Sequence, residues 1–187
     1  MFDLIRSFFS KNEKNKSVLI ASPLVKIKSL DELFIFHINH SQYFQDSDHD
    51  LVLNHLKNKV NLNKLGEKLS VEQKKELGIN TRLTITKSLV GVLSKKGLSL
   101  PDPKDALKRV YYRATFEHRK LEDLERMESL SIKEFKYFTC QDERDCTWCS
   151  KNHGAIYPVS GAIIDDINEN CKCEWNRSIL TAEITFD

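Results

Sequence analysis

Cysteines are the residues of this chain whose spacing points most clearly to chemistry, and all five lie after residue 139. Four of them form two close pairs, Cys146-Thr-Trp-Cys149 and Cys171-Lys-Cys173, with 21 residues between the pairs. A two-residue spacer lets a tight turn bring both sulfurs of the first pair to one ion. In an extended strand, residues i and i+2 face the same side, so Cys171 and Cys173 can reach that ion together.

The two pairs therefore predict a closed, structural metal site in the last quarter of the chain. Thiolates favour zinc over hard cations, and an iron–sulfur centre is the less favoured alternative. Cys140 and His153 are spare candidates, and three thiolates with His153 form the main alternative ligand set. Otherwise we expect Cys140 to pack near the site as a small apolar side chain.

No catalytic constellation accompanies the cysteines. Four thiolates would fill the coordination sphere, whereas a catalytic zinc keeps an open position. The chain has no His-x-Glu or His-Glu-x-x-His motif, no phosphate loop, no Gly-x-Ser-x-Gly and no dinucleotide fingerprint. His37 and His40 have ligand-like spacing but no acid or cysteine partner at a matching offset. Acidic neighbours of the cysteines are expected to form a solvated rim: Asp142, Glu143, Asp145, Asp165 and Asp166.

Composition indicates an ordinary globular protein of 187 residues, with 40% apolar and 30% charged residues. The first residues lack the basic start and long apolar run of a secretory signal, and no apolar stretch approaches the ~20 residues that span a bilayer. We therefore expect a cytoplasmic protein with reduced thiols and no membrane partner. Residues 1–100 carry a net charge of +6 and residues 101–187 carry −4. The basic residues are scattered, which gives little support to nucleic-acid binding.

Apolar periodicity predicts a mostly helical N-terminal region, residues 1–100, without an assigned role. Val18–Ile20 and Leu24–Ile27 could be strands. The predicted helices cover residues 2–9, a segment through His37 capped by Asp31, and residues 48–68, 70–78 and 86–96. Ser70-Val-Glu-Gln73 is a capping-box pattern at the start of the fourth of these, and Gly97 lies just past the end of the last.

The clearest helix is predicted for residues 102–129, with Asp102 as the N-cap and Pro103 at the first helical position. Helical spacing predicts that it has an apolar stripe made of Leu107, Val110, Tyr111, Ala114, His118, Leu121 and Leu124. A strand and a loop-rich module, residues 132–180, follow it. The predicted fold class is therefore α+β, with a mostly helical N-terminal part, a long central helix and a small zinc-stapled β-rich C-terminal module. The corresponding division of the chain is residues 1–100 and residues 101–187.

Three segments in this order resemble a known motif: Tyr137–Cys149, Gly154–Pro158 and Asn170–Trp175. They are similar to the C-terminal motif of phage Mu F-like head morphogenesis proteins, also called minor head or minor capsid proteins. That motif has a strand, an Asp-x-Arg-x-Cys-x-x-Cys turn, a Gly with an apolar pair, and a closing His-x-x-Cys-x-Cys. The preceding helix with Arg113 also resembles its counterpart, so the resemblance covers residues 103–176. Asn168 stands where the family has the closing histidine, which leaves the ligand set open between the four thiols and sets that include His153 or Cys140.

The resemblance implies a non-enzymatic structural or assembly protein of a phage or prophage head, with a structural zinc site. Its partners would be portal or capsid subunits, and its location the host cytoplasm or the virion. Two other functions are considered as alternatives. One is a DNA-binding regulator that reads duplex DNA with helices in residues 70–97, and the other is a toxin or effector that carries a Mu F-like module. Duplex binding with a steep salt dependence would favour the regulator.

Overall fold

The computed structural model describes residues 25–184, which form a helical part followed by a small antiparallel sheet with two short helices. This architecture confirms the predicted mixture of helix and sheet. The single helix predicted for residues 2–9 and the strand predicted for Val18–Ile20 lie outside the described residues. Residues 25–29 have no regular structure. The six α-helices before the sheet are α1 Leu30–Asn39, α2 His49–Leu56, α3 Val71–Glu76, α4 Lys87–Val92, α5 Lys95–Leu98 and α6 Asp105–Ser129, and a 3-10 helix, Asp46–Asp48, directly precedes α2.

Capping side chains decide where several helices begin. Ser29, not the predicted Asp31, caps α1: its hydroxyl accepts from the N–H of Glu32, whose carboxylate accepts from the N–H of Ser29. The predicted capping box of α3 is present at Ser70. The predicted cap of α6 is wrong, because the Asp102 carboxylate accepts from the N–H of Lys104 in a turn before the helix, which begins at Asp105.

Two predicted helices are shorter in the structure. The helix predicted for residues 48–68 ends at Leu56, since Asn58 adopts a left-handed conformation with φ of 57°. The helix predicted for residues 86–96 is split into α4 and α5 at Leu93, which pairs with Phe44 in an isolated β-bridge. Tertiary pairing thus overrides the helical periodicity there.

Gly97 lies inside α5, not just past a helix end as predicted, and close packing explains the glycine. A Cβ built at this position overlaps the backbone carbonyl of Tyr43 and lies 2.9 Å from Cδ2 of Leu93. The Ser94 N–H also donates to the Tyr43 carbonyl, at 2.9 Å, which fixes that backbone against α5.

We expect Gly97→Ala to lower the free energy of unfolding by about 1–3 kcal/mol, because the added methyl forces the backbone of Tyr43 to move. Gly91→Ala is the matched control in α4, where a Cβ meets nothing within 4 Å. The control should be neutral or stabilise by up to about 1 kcal/mol through helix propensity. Urea unfolding of both variants measures the difference, and equal effects would contradict the packing argument.

The C-terminal module is less β-rich than predicted. Its elements are β1 Glu134–Phe138, α7 Thr147–Asn152, β2 Ile156–Pro158, α8 Ala162–Asn170 and β3 Ile179–Glu183. The strand order is β2-β1-β3, both pairs are antiparallel, and Phe135 of β1 faces Tyr157 and Ala182 across the two ladders. The apolar residues between the cysteine pairs lie largely on α8, where Ile163, Ile164 and Ile167 are buried. Their spacing fits one face of a helix.

Helix α6 contacts elements of both parts of the fold: α1 packs against it most extensively, and α2, α8 and β3 also contact it. Its buried face differs from the predicted stripe, since Tyr111 is 43% exposed while Glu117 and Lys120 are only 6% and 3% exposed. Within residues 25–184, none of the helices has the length and apolar character needed to cross a bilayer.

Candidate metal centre

Four thiols meet in one cluster at the junction of α7 and α8. The Sγ atoms of Cys146, Cys149, Cys171 and Cys173 all lie within 4.8 Å of one another. The Cys149–Cys171 and Cys149–Cys173 Sγ separations are 3.5 and 3.7 Å. Zn–S bonds of about 2.3 Å in a tetrahedron give an S–S edge of about 3.8 Å, so these separations suit one shared ion. They are far longer than the ~2.05 Å bond of a disulfide.

Helix ends bring the thiols together. Cys146 is the N-cap of α7, which places Cys149 one helical turn later on the same side. Cys171 is the C-cap of α8, and Cys173 follows in an irregular segment. The prediction that Cys171 and Cys173 lie on a strand is therefore wrong, although both sulfurs still reach the cluster.

Hydrogen-bond donors surround the sulfurs. The N–H of Cys146 donates to Sγ of Cys173 at 3.2 Å, and the N–H of Lys172 donates to Sγ of Cys146 at 3.3 Å. The Asn176 amide lies 3.4 and 3.5 Å from the Sγ atoms of Cys149 and Cys171. Donors of this kind stabilise thiolates and orient them toward a metal.

A buried polar network fixes the Asn176 amide. Its Nδ2 donates to the Tyr137 hydroxyl at 2.7 Å, and its Oδ1 accepts from the N–H and hydroxyl of Ser178. Tyr137 is fully buried, and its burial raises the pKa of the phenol well above the usual range. The phenol is therefore a permanent neutral hydrogen-bonding group beside the thiols.

Local electrostatics favour thiolate at two cluster positions. The hydrogen bond from Cys149 and that from Asn176 lower the pKa of Cys171 to about 5. Burial raises the pKa of Cys146, but the backbone N–H donors at Cys149 and Lys172 outweigh it, so the net shift is downward. Burial lowers the pKa of Lys120 to about 8, and the nearby thiolates oppose that shift. A protonated Lys120 would offset part of the negative charge of four thiolates around a divalent ion.

An ion-pair clamp holds the turn before Cys146. Arg177 donates to both carboxylate oxygens of Asp142, one at 2.7 Å, and reaches Asp145 at 3.3 Å. The Arg177 guanidinium keeps the pKa of Asp142 well below its usual range. Two members of the predicted acidic rim are thus structural partners of an arginine. The others, Glu143, Asp165 and Asp166, are exposed as predicted.

Arg113 connects α6 to the second cysteine pair. Its Nη2 donates to the carbonyl of Cys173 at 2.7 Å and its Nε to the carbonyl of Glu174 at 2.9 Å. Lys120 donates to the carbonyl of Asn176 at 3.2 Å from the same helix. Both side chains anchor the irregular segment that follows α8 onto the long helix.

The spare candidates lie outside the cluster. Cys140 is exposed, so the prediction that it packs as a small apolar side chain is wrong. His153 accepts at Nδ1 from the N–H of Thr139, at 3.1 Å. Asn168 donates to Oε2 of Glu117 at 3.2 Å, and His37 contacts the same oxygen at 2.9 Å. His37 and Asn168 are therefore partners of a buried carboxylate in this structure.

Sequence reasoning missed Glu117, Lys120, Asn176 and Arg177. Glu117 and Lys120 on α6 fall three and six positions after Ala114, so their spacing matches the buried face of the helix. They were not predicted to be buried because both side chains are charged. Asn176 and Arg177 lie in an irregular segment, where no periodicity marks buried positions.

Comparisons of the chain with protein-family models, with curated proteins and with solved structures found no match.

Proposed function

We propose that this chain is a non-enzymatic assembly protein of the phage-head type, whose C-terminal module is held together by a structural zinc ion. The observation that carries the zinc proposal is the cluster of four Sγ atoms within 4.8 Å. Three of the four cysteines are buried, at 1–6% exposure, which suits a closed site with no position for substrate. A multi-iron cluster needs its ligand sulfurs on different irons, so thiols this close favour a single ion.

The assembly role rests on the Mu F-like motif and gains support from the way its residues are used. Arg113, on the helix before the motif, donates to the carbonyls of Cys173 and Glu174 at the second cysteine pair. Asn168 replaces the family's closing histidine, and the four thiols provide a complete tetrahedral donor set without it. The departure from the motif is therefore compatible with a filled metal site.

Elemental analysis tests the zinc proposal directly. Protein purified without added metal and kept reduced should contain about one zinc per chain. Folded protein with a zinc content near zero would contradict the proposal. The assembly role has a separate test in the neighbouring genes. Portal and capsid genes beside this one, and a stable complex on coexpression with their products, would support it; the absence of both would overturn it.

The DNA-regulator alternative receives no support from residues 70–97. A helix-turn-helix joins its helices through three or four residues, whereas α3 and α4 are six-residue helices separated by residues 77–86. The Lys74 ammonium group is buried and donates to the carbonyls of Thr81 and Leu83 within that loop. It is therefore a loop-stabilising group and is not available to contact DNA phosphates.

We expect Asn176→Ala to weaken zinc binding about 10- to 100-fold, because it removes the amide that donates toward Cys149 and Cys171 and leaves the Tyr137 hydroxyl without its donor. Asn170→Ala is the matched control, since that exposed amide only bonds the carbonyl of Asp166. Competition with a chromophoric chelator measures both affinities. Equal affinities for the two variants would show that the amide does not tune the site.

A further inference from the structure

A second polar site lies between the end of α1 and the first half of α6. It is a cleft of about 340 Å³, lined among others by His37, His40, Ser41, Tyr43, Arg109 and Arg113. Two arginines and two histidines line the cleft, and none of its lining residues in the described part of the chain carries a carboxylate. The cleft therefore presents a concentration of hydrogen-bond donors and positive charge.

The two arginines lie one helical turn apart on α6, which puts them on the same face. Existing contacts hold their guanidinium planes. Nη1 of Arg109 donates to the Tyr43 hydroxyl at 3.0 Å, Nη2 pairs with Oε1 of Glu174, and Arg113 binds two backbone carbonyls. Because these side chains are already ordered, a ligand would lose little of its binding energy to fixing them.

Arg109 has a donor that its present contacts do not use. Its Nε is buried and has no hydrogen-bond partner among residues 25–184. An unsatisfied buried donor on a charged group is unfavourable, so binding of a ligand that supplies an acceptor to Arg109 is favoured. His40 donates from Nδ1 to the carbonyl of Phe36 at 2.8 Å, so its Nε2 accepts a hydrogen bond in the neutral ring and donates one only when the ring is protonated.

We propose that this cleft binds the phosphate group of a small organic phosphate, with Arg109 and Arg113 as its charged ligands. Guanidinium groups match phosphate oxygens in geometry as well as charge. The volume lies near the lower end of the ~300–1,000 Å³ found for small-molecule pockets, and it exceeds what inorganic phosphate needs. The proposal does not depend on the assembly role, because it concerns residues outside the cysteine cluster.

Glu174 provides a test with a predicted sign. Its carboxylate pairs with Arg109, so it competes with an anionic ligand for that guanidinium. Glu174→Gln removes the competing charge and keeps the backbone carbonyl that Arg113 binds. We expect this variant to bind phenyl phosphate about two- to tenfold more tightly than the natural chain.

The experiment is a titration of the zinc-loaded full chain with phenyl phosphate at constant ionic strength, followed by NMR of the arginine Nε–Hε signals. The Arg109 signal should shift saturably, and Arg109→Gln should weaken binding about tenfold or more. Arg119→Gln, an exposed arginine on the same helix, is the control of equal charge change and should alter affinity less than about twofold.

Three results would overturn the proposal: no saturable shift of the Arg109 signal up to about 10 mM phenyl phosphate, equal weakening in Arg109→Gln and Arg119→Gln, or no tightening in Glu174→Gln. Equal weakening would mean general charge attraction. If Arg109→Gln fails to fold, the Glu174→Gln variant and the natural chain still decide the question, because neither removes a contact within the core. Inorganic phosphate, titrated in parallel, should bind more weakly than phenyl phosphate if the organic part of the ligand occupies the rest of the cleft.

Discussion

Replacing Cys171 with serine is expected to abolish zinc retention and to unfold the module that contains β1, β2 and β3. Structural zinc supplies about 10–16 kcal/mol of apparent binding free energy in finger peptides, as much as the whole stability of a typical domain. Cys171 connects α8 to the cluster, and its loss leaves only three thiols, those of Cys146, Cys149 and Cys173, to hold the ion. Helices α1 and α6 pack on each other and should persist.

Elemental analysis and hydrogen exchange resolved by residue measure the two effects. Cys140→Ser is the matched control, because that exposed thiol lies outside the cluster. It should keep about one zinc per chain and leave exchange in β1 unchanged. A Cys171→Ser protein that keeps its zinc, or that loses zinc and retains full protection in β1 and β3, would show that the metal does not hold the module.

The second large effect is expected at Glu117. Its carboxylate is 6% exposed and accepts from His37 and Asn168, and these hydrogen bonds outweigh burial and keep the pKa of Glu117 below its usual value. It also lies near the buried ammonium group of Lys120. Glu117→Ala leaves these donors and a buried charge without a partner, so we expect a loss of about 3–5 kcal/mol in the free energy of unfolding.

Urea unfolding monitored by circular dichroism measures this loss. Glu122→Ala is the control on the same helix, since its side chain is half exposed and only approaches His118 at 3.6 Å. Its effect should stay within about 0.5 kcal/mol. The double replacement of His37 and Glu117 by phenylalanine and leucine should recover part of the lost stability, because it removes the His37 donor together with Glu117 while Lys120 keeps the carbonyl of Asn176 as its acceptor. A Glu117→Ala variant as stable as Glu122→Ala would contradict the role of this buried pair.

Local patterns predicted some elements well and others badly. The capping box at Ser70 and the long amphipathic helix through Leu107 and Leu124 were predicted, because their signals lie within one helical turn or repeat many times. The division of the helix predicted for residues 86–96 into α4 and α5 was not predicted, because the β-bridge between Phe44 and Leu93 joins positions far apart in sequence. The buried positions of α6 were misassigned where a charged residue occupies the core face.

The amino-acid sequence by itself determined two close cysteine pairs, since spacers of one or two residues restrict how far apart the sulfurs of each pair can lie, and it left the complete ligand set open. It also determined that the metal-site candidates are confined to the last quarter of the chain. Only the tertiary structure decided which donors stand around the sulfurs, that Cys140 and His153 lie outside the cluster, and that Arg109 and Arg113 line a cleft. The physical reason is range: cysteine spacing acts over two or three residues, whereas the contacts of Arg113, Lys120 and Asn176 depend on how α6 meets the segment after α8.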